Sequence, residues 1–144
     1  MDKSIEAKHI KKGMHIILKK RPCKVIDYEI SKPRKHGHVK VSVVGVDVLN
    51  ENKIMNIFAG HDKIYEFKLD RSMYQLININ EQYLYYLKGN IEQVIKMNTE
   101  SDMYKEIKLQ FDNEKDILVT IITAPIEKED GIFEYEDLVE GYKI

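Results

Sequence analysis

The chain has 144 residues, a formal net charge of −1 and 43 % hydrophobic residues, a composition typical of globular proteins and not of disordered ones. No apolar run approaches the ~18 residues that indicate a membrane-spanning helix, and residues 1–12 lack the apolar stretch of a signal peptide. The single cysteine, Cys23, excludes an internal disulfide framework and a zinc site built from several cysteines. We therefore expect a protein of the reducing, cytoplasmic compartment.

The two halves of the chain differ in charge. Residues 1–70 hold 15 Lys and Arg against 9 Asp and Glu, whereas residues 71–144 hold 8 against 15. This division favours two domains, 1–70 and 71–144, of which only the first faces a polyanion. The alternative is that surface charge differs between the halves without functional meaning. We expect the connection at residues 66–72, which contain neither Gly nor Pro.

The first half is predicted to form short strands, at residues 14–18, 25–30, 39–48 and 53–57. Alternation in the second of these segments places Ile26, Tyr28 and Ile30 on one face. The third segment is rich in Val, a β-branched residue that fits a pleated sheet. Closely spaced strands with no convincing helix indicate a small β-barrel.

The second half is predicted to contain strands at residues 74–79 and 83–87, with a third possible at 91–97. The spacing of apolar residues then changes. Met103, Ile107 and Phe111 recur every four residues, which predicts one apolar stripe along a helix. Thr99 with Asp102 three residues later resembles a capping box at the start of that helix.

The end of the chain is less clear from its sequence. Residues 116–124 form a nearly continuous apolar strand that Pro125 is expected to stop. Residues 126–144 are acidic and ambiguous, and residues 132–139 fit either a strand or a short helix. Strands, one helix and a further strand are compatible with an OB-type barrel, although this pattern alone does not select it.

The segment 31–38 carries the most chemical information. It reads Ser-Lys-Pro-Arg-Lys-His-Gly-His between two predicted strands and is expected to be a hairpin tip. Pro33 fixes its own φ, and Gly37 can take a positive φ and close the turn. Such a tip would hold Lys35 out in solvent, where it and the flanking cations could contact phosphate groups. The alternative is an ordinary solvated basic hairpin.

The sequence from Lys35 to Val41, KHGHVKV, resembles the signature loop of the eukaryotic translation initiation factor 5A family. The resemblance continues through residues 21–25 before the loop and 44–48 after it. It also includes residues 74–77 and 116–124, in register over about 8–125. The last twenty residues show no resemblance to the family.

This resemblance implies an SH3-like N-terminal barrel followed by an OB-fold domain with one short helix, a mainly β fold. It implies that Lys35 is converted to hypusine by deoxyhypusine synthase, which takes an aminobutyl group from spermidine, and then by a hydroxylase. It further implies a factor that binds the large ribosomal subunit beside peptidyl-tRNA, relieves stalls at consecutive prolines and assists termination, as bacterial elongation factor P does. The residues implied to contact RNA or tRNA are Lys32, Arg34, Lys35, His36, Gly37 and His38.

The loop departs from the family at one point. Pro33 and Arg34 stand where the family usually has Thr-Gly before the modified lysine. A proline and a bulky cation should stiffen the loop and change the surface that the modifying enzyme meets.

The sequence offers only weak candidates for a metal site or a catalytic nucleophile. His36 and His38 share one face of an extended segment, but a metal site would need further ligands, so we expect no metal and no cofactor. Cys23 could act as a nucleophile, but no orienting or oxyanion group is evident and a strand cysteine is more often part of a core. We therefore expect no enzymatic activity, and we keep a generic RNA-binding module without lysine modification as the alternative to the hypusine-bearing factor.

Overall fold

The computed structural model describes residues 3–32 and 38–144, and it is built mainly from antiparallel strands with one α-helix. Within those residues the elements are β1 (Lys3–Glu6), a 3-10 helix (Ala7–His9), β2 (His15–Leu18), β3 (Arg21–Ser31), β4 (Lys40–Asp47), β5 (Lys53–Ala59), β6 (Lys63–Glu66), β7 (Asp70–Asn80), β8 (Tyr83–Lys88), β9 (Ile91–Lys96), α1 (Asp102–Asp112), β10 (Leu118–Glu129) and β11 (Ile132–Lys143). The prediction of a mainly β fold with one short helix is confirmed.

The chain divides into two compact units, one of Met1–Leu69 with Ala124–Glu136 and one of Asp70–Thr123 with Asp137–Ile144. The change from the first unit to the second falls inside the segment 66–72 where we expected the connection. The grouping of Ala124–Glu136 with the first unit has no counterpart in the sequence analysis. The division into domains 1–70 and 71–144 stays a prediction.

The first unit is built on a six-stranded sheet of order β1-β6-β2-β3-β4-β5. Its core consists of small and branched side chains from these strands and from the 3-10 helix with the residue that ends it: Ala7, Ile10, Ile16, Leu18, Cys23, Val25, Val41, Val43 and Ile64. Gly45 in β4 admits the close approach of β2 and β3, because a Cβ there would lie 2.7 Å from Leu18 Cδ1 and 3.0 Å from Cys23 Cβ. The strands β1 and β6 were not predicted.

A β-bulge interrupts β3 within the segment 25–30, where the sequence alternates. The register with β4 shifts between Val25 and Asp27, so Ile26 is the extra residue and the strict alternation is lost. Ile26 is 41 % exposed and Ile30 46 % exposed. Val25 enters the core, and Tyr28 packs against the same core from beyond the bulge.

The second unit contains a five-stranded sheet of order β11-β10-β7-β8-β9, whose inner face packs against α1. Tyr104 and Ile107 of the helix join the core, as the predicted stripe requires. The helix begins at Asp102, later than a cap at Thr99 would place it, because Ser101 is the N-cap and its Oγ accepts the N–H of Tyr104 at 3.1 Å. The predicted capping box at Thr99 is therefore wrong.

The strand β10 continues through Pro125, which was expected to stop it. Pairing of β10 with β7 ends at Thr123 opposite Asp70, so the missing N–H of Pro125 costs no hydrogen bond with β7. Residues 132–139, which fit a strand or a helix, belong to the strand β11. The β10–β11 hairpin ends in the two-residue turn Asp130-Gly131.

Candidate nucleic-acid interface

The β3–β4 hairpin carries the segment that the sequence singled out. The two strands pair as far as Ser31 opposite Lys40, so residues 32–39 join them. Lys32 and His38, at either end of this connection, are exposed. Arg34, Lys35, His36 and Gly37 lie outside the described residues, and their roles stay predictions.

The root of this hairpin is fixed on one side by Gly60, the residue that follows β5. The N–H of Gly60 donates to the carbonyl of Val39 at 2.8 Å. A Cβ at Gly60 would lie 3.1 Å from both Cβ and Cγ1 of Val39, so a side chain there would push the strand end away. Any segment that joins β3 to β4 therefore starts from a fixed base.

An apolar cavity of 340 Å³ lies beside this root, lined by His38, Lys40 and His61 together with side chains of β5. Two apolar side chains of β5 are well exposed nearby in the strand, Met55 at 62 % and Ile57 at 68 %. His38 thus borders apolar surface as well as solvent, which suits a residue that meets a partner through its ring.

A second group of cations lies at the β2–β3 turn. Lys19 and Lys20 form the whole turn and are exposed. Arg21, the first residue of β3, is tied to the fully buried Asp47 through Nε and Oδ2 at 2.5 Å, and this hydrogen bond raises the pKa of Arg21. The other oxygen of Asp47 accepts the N–H of Leu49 at 2.8 Å. Arg21 thus has a buried structural partner, whereas Lys19 and Lys20 are exposed to solvent.

Cys23 has the properties of a core residue. Its side chain has no exposed surface, and burial raises the pKa of the thiol to about 12. A thiol in that state is a poor nucleophile at neutral pH.

Among the described residues, no group of three or more His, Cys, Asp or Glu could hold a metal ion. No helix in the described part of the chain is long and apolar enough to cross a membrane.

One cation near the β2–β3 turn was missed by sequence reasoning. Lys63 begins β6 and lines a cavity together with Lys19 and Lys20. A lone lysine in a four-residue strand gives no sequence signal. Lys63 lies beside Lys19 and Lys20 because the strands pair, and the positions of these residues in the sequence do not reveal that pairing.

Comparison with known proteins gives matches over both units. Residues 2–61 match the family model described as translation initiation factor 5A-like, N-terminal. Residues 69–129 match the model described as eukaryotic elongation factor 5A hypusine, DNA-binding OB fold. The expected OB fold in the second half is therefore confirmed.

Curated relatives match along most of the chain. The eukaryotic translation initiation factor 5A-2 of Arabidopsis thaliana is 33 % identical over 126 residues, which cover 85 % of this chain and 79 % of the relative. The factor 5A-1 of Schizosaccharomyces pombe is 32 % identical over 117 residues, which cover 80 % of this chain and 74 % of the relative.

Solved structures share the fold. A translation initiation factor 5A family protein from Naegleria fowleri superimposes with a TM-score of 0.76 at 24 % identity, covering 94 % of this chain and 96 % of that protein. The factor 5A from Methanococcus jannaschii gives a TM-score of 0.63 at 20 % identity, covering 96 % of this chain and 97 % of that protein.

Proposed function

Since the chain belongs to the eukaryotic translation initiation factor 5A family of translation factors, we propose that it binds the ribosome beside peptidyl-tRNA through a hypusine arm on Lys35. In this role it promotes peptide-bond formation at stalling sequences and assists termination. Its partners would be the large ribosomal subunit, peptidyl-tRNA, deoxyhypusine synthase and the hydroxylase. The factor would act in the cytoplasm and would have no catalytic residue of its own.

The observation that carries this proposal is the position of the KHGH sequence between β3 and β4. The paired strands end at Ser31 and Lys40, so the motif occupies the connection of a long hairpin whose root is anchored on Gly60. Lys32 and His38 at its two ends are exposed. A lysine presented from a fixed hairpin can enter a narrow site that a folded domain cannot.

The chemistry of the arm fits such a site. An unmodified lysine carries one compact cation on a four-carbon stem, and an aminobutyl extension roughly doubles its reach and adds a second amine. An arm of that kind could follow the acceptor end of tRNA towards the peptidyl-transferase centre. Its contribution there would be to hold the peptidyl-tRNA in a reactive geometry, which accelerates a reaction without acid–base chemistry.

The test compares Lys35→Arg with Lys32→Arg in translation of a poly-proline reporter, using factor made in a host that modifies it. Both changes conserve charge on the same connection, so the free energy of unfolding should change by no more than ~0.5 kcal/mol. Arginine cannot accept the aminobutyl group, so Lys35→Arg should abolish stimulation at proline runs while ribosome binding weakens only moderately. Lys32→Arg should retain most activity.

Equal activity of the two variants would contradict the hypusine arm and would favour a generic RNA-binding module. An intact mass of the factor from the same host supplies a separate check. The peptide that contains Lys35 should carry the extra mass of an aminobutyl or aminohydroxybutyl group. Absence of that mass from a host that modifies its own factor would contradict the hypusine arm on Lys35.

A further inference from the structure

A small cleft in the first unit lies between the β2–β3 turn and the β10–β11 hairpin. It has a volume of 260 Å³ and is lined by three lysines, Lys19, Lys20 and Lys63, and by two carboxylates, Glu127 and Asp130. We call it the turn cleft. The matched regions include Lys19 and Lys20 but end before the Asp130-Gly131 turn on the other side of the cleft.

The three lysines of the turn cleft lack ion-pair partners in the part of the chain that the structure describes, although two carboxylates line the same cleft. The carboxylate of Glu127 is engaged elsewhere, because its Oε2 accepts the N–H of Gly131 at 3.0 Å. Three exposed lysines therefore line one cleft, and none of them forms an ion pair with a carboxylate of the described residues. An anion in the cleft would be attracted by all three of these unpaired positive charges.

The backbone that presents two of these lysines is itself unfavourable for lysine. Lys19 has φ 47° and Lys20 has φ 71°, and together they form a two-residue hairpin turn. A turn with two positive φ values strongly favours Asn-Gly, since an L-residue with a side chain is strained in that region. Among the described residues this is the one place where two consecutive non-glycine residues have positive φ.

The turn is also held in a fixed position. The N–H of Glu127 donates to the carbonyl of Lys20 at 3.0 Å, and Arg21 is anchored on Asp47 at 2.5 Å. Tyr65, another residue of the cleft, packs edge-on against Phe133 with ring centroids 5.1 Å apart. The backbone of the turn is thus fixed before an anion arrives, so that only the lysine side chains need to be ordered on binding.

We propose that the turn cleft binds a phosphate group through Lys19, Lys20 and Lys63, and that Glu127 and Asp130 weaken this binding by repelling the phosphate. A phosphate offers several acceptor oxygens that three separate ammonium groups can share, which suits lysines as point charges. The phosphate belongs either to an RNA backbone or to a free phosphate compound, and the two sources are separated by the choice of probe. The proposal does not require modification of Lys35.

The experiment uses the full chain without the hypusine modification. The cleft variant carries Lys19→Gln, Lys20→Gln and Lys63→Gln. Its control carries Gln at three exposed lysines of the second unit, Lys96, Lys105 and Lys115, and therefore has the same net charge. Circular dichroism verifies that both are folded. Binding of a labelled single-stranded RNA is measured by anisotropy at several salt concentrations, and binding of inorganic pyrophosphate is measured by amide NMR shifts.

We expect the cleft variant to bind RNA about tenfold more weakly, with a salt slope smaller by about 0.7 because one RNA phosphate is no longer neutralised, and the control to change less than twofold. Pyrophosphate that shifts the amides of Lys19 and Lys20 in the parent chain but not in the cleft variant would identify a site for free phosphate as well. A response to RNA alone would identify the backbone as the source. Equal losses of affinity in the cleft variant and the control, or no loss in either, would overturn the proposal.

The two carboxylates provide a test of opposite sign. Glu127→Gln with Asp130→Asn should tighten binding severalfold, because glutamine can still accept the N–H of Gly131 while two repulsive charges are removed. The matched control is Glu92→Gln with Glu106→Gln on exposed positions of the second unit. Unchanged or weaker binding in the Glu127 and Asp130 variant would contradict the assigned repulsion. Failure of these measurements would leave the poly-proline assay of Lys35 unaffected, so the two proposals fail separately.

Discussion

Two hairpin turns line the same cleft, and they are built from opposite kinds of residue. The β10–β11 turn is Asp130-Gly131, with the positive φ of 77° assigned to glycine. The β2–β3 turn assigns positive φ to Lys19 and Lys20, where Asn-Gly would be less strained. The first turn follows local conformational preference, whereas the second departs from it at both positions. Departures of this kind concentrate at functional sites, which is why the lysines and not the glycine indicate a ligand.

The largest effect should come from removing the anchor of the lysine turn. Asp47 is fully buried and is held by Arg21 and by the N–H groups of Leu49 and Asn50. Asp47→Ala leaves these donors without their acceptor and should lower the free energy of unfolding by about 2–4 kcal/mol in urea denaturation. The exposed Asp27→Ala should change it by less than ~0.5 kcal/mol. Similar values for the two variants would show that Asp47 does not anchor the turn.

Replacing the lysine turn by the sequence that its geometry favours should have the opposite sign. Lys19→Asn with Lys20→Gly relieves two left-handed residues and should raise the free energy of unfolding by about 1 kcal/mol or more. The same variant should lose phosphate binding. Glu114→Gly, at φ 62° in the second unit, should also stabilise the protein but leave binding unchanged. A less stable Asn-Gly variant would mean that the lysines suit the turn and that no strain needs explaining.

The complementary change is made in the glycine turn. Gly131→Ala places a Cβ in a backbone of φ 77° and 3.3 Å from the hydroxyl of Tyr65, so we expect a loss of about 1 kcal/mol in thermal or urea unfolding. Gly141→Ala is the control, because a Cβ there meets nothing within 4 Å and the φ is not positive. If both substitutions are neutral, the glycine turn is more tolerant than its geometry indicates and the contrast between the turns weakens.

The smallest effect should appear at the far end of β11. Arg71 donates two hydrogen bonds to Glu140, at 2.7 and 2.9 Å, and this interaction lowers the pKa of Glu140. A carboxylate with a lowered folded-state pKa stabilises the protein above its unfolded pKa, and that contribution disappears as the pH falls through the folded value. Glu140→Gln should therefore cost less than ~1 kcal/mol at pH 7 for such an exposed pair.

The difference between the parent and Glu140→Gln should shrink as the pH is lowered below the ordinary glutamate pKa of ~4.3. Urea titrations at several pH values measure it. A difference that stays constant with pH would show that the carboxylate charge is not its cause. Phosphate binding in the turn cleft should be the same in both proteins.

The sequence predicted those strands and helices in which apolar residues recur with a regular spacing. The valines of β4 and the stripe Met103, Ile107 and Phe111 of α1 gave a strand and a helix at the correct places. The cap was missed because Ser101 and Thr99 are both plausible N-caps, and only the hydrogen bond to Tyr104 distinguishes them. The bulge at Ile26 leaves no periodic signal, since it is an interruption of alternation that many sequences show without bulging.

The candidate site was only partly accessible from the sequence. The KHGH segment and the cations Lys19 and Lys20 can be found by charge and motif. Lys63 cannot, because its place beside them depends on the pairing of β6 with β2. The hydrogen bond of Glu127 with Lys20 is equally hidden, since it joins the backbones of two residues that lie near opposite ends of the sequence.

That long separation has a consequence for how the protein is made. Ala124 is fully buried with Ile17 and Phe67, and Phe133 packs on the same cluster. A chain synthesised from its N-terminus therefore exposes Ile17 and Phe67 until Ala124 and Phe133 have left the ribosome. Interactions between distant parts of a chain form slowly, and uncovered apolar surface favours aggregation in the interval. The first unit begins the chain but is completed only when residues 124–136 have been made, and a truncation before Ala124 should leave a partly open form with exposed apolar surface that aggregates readily.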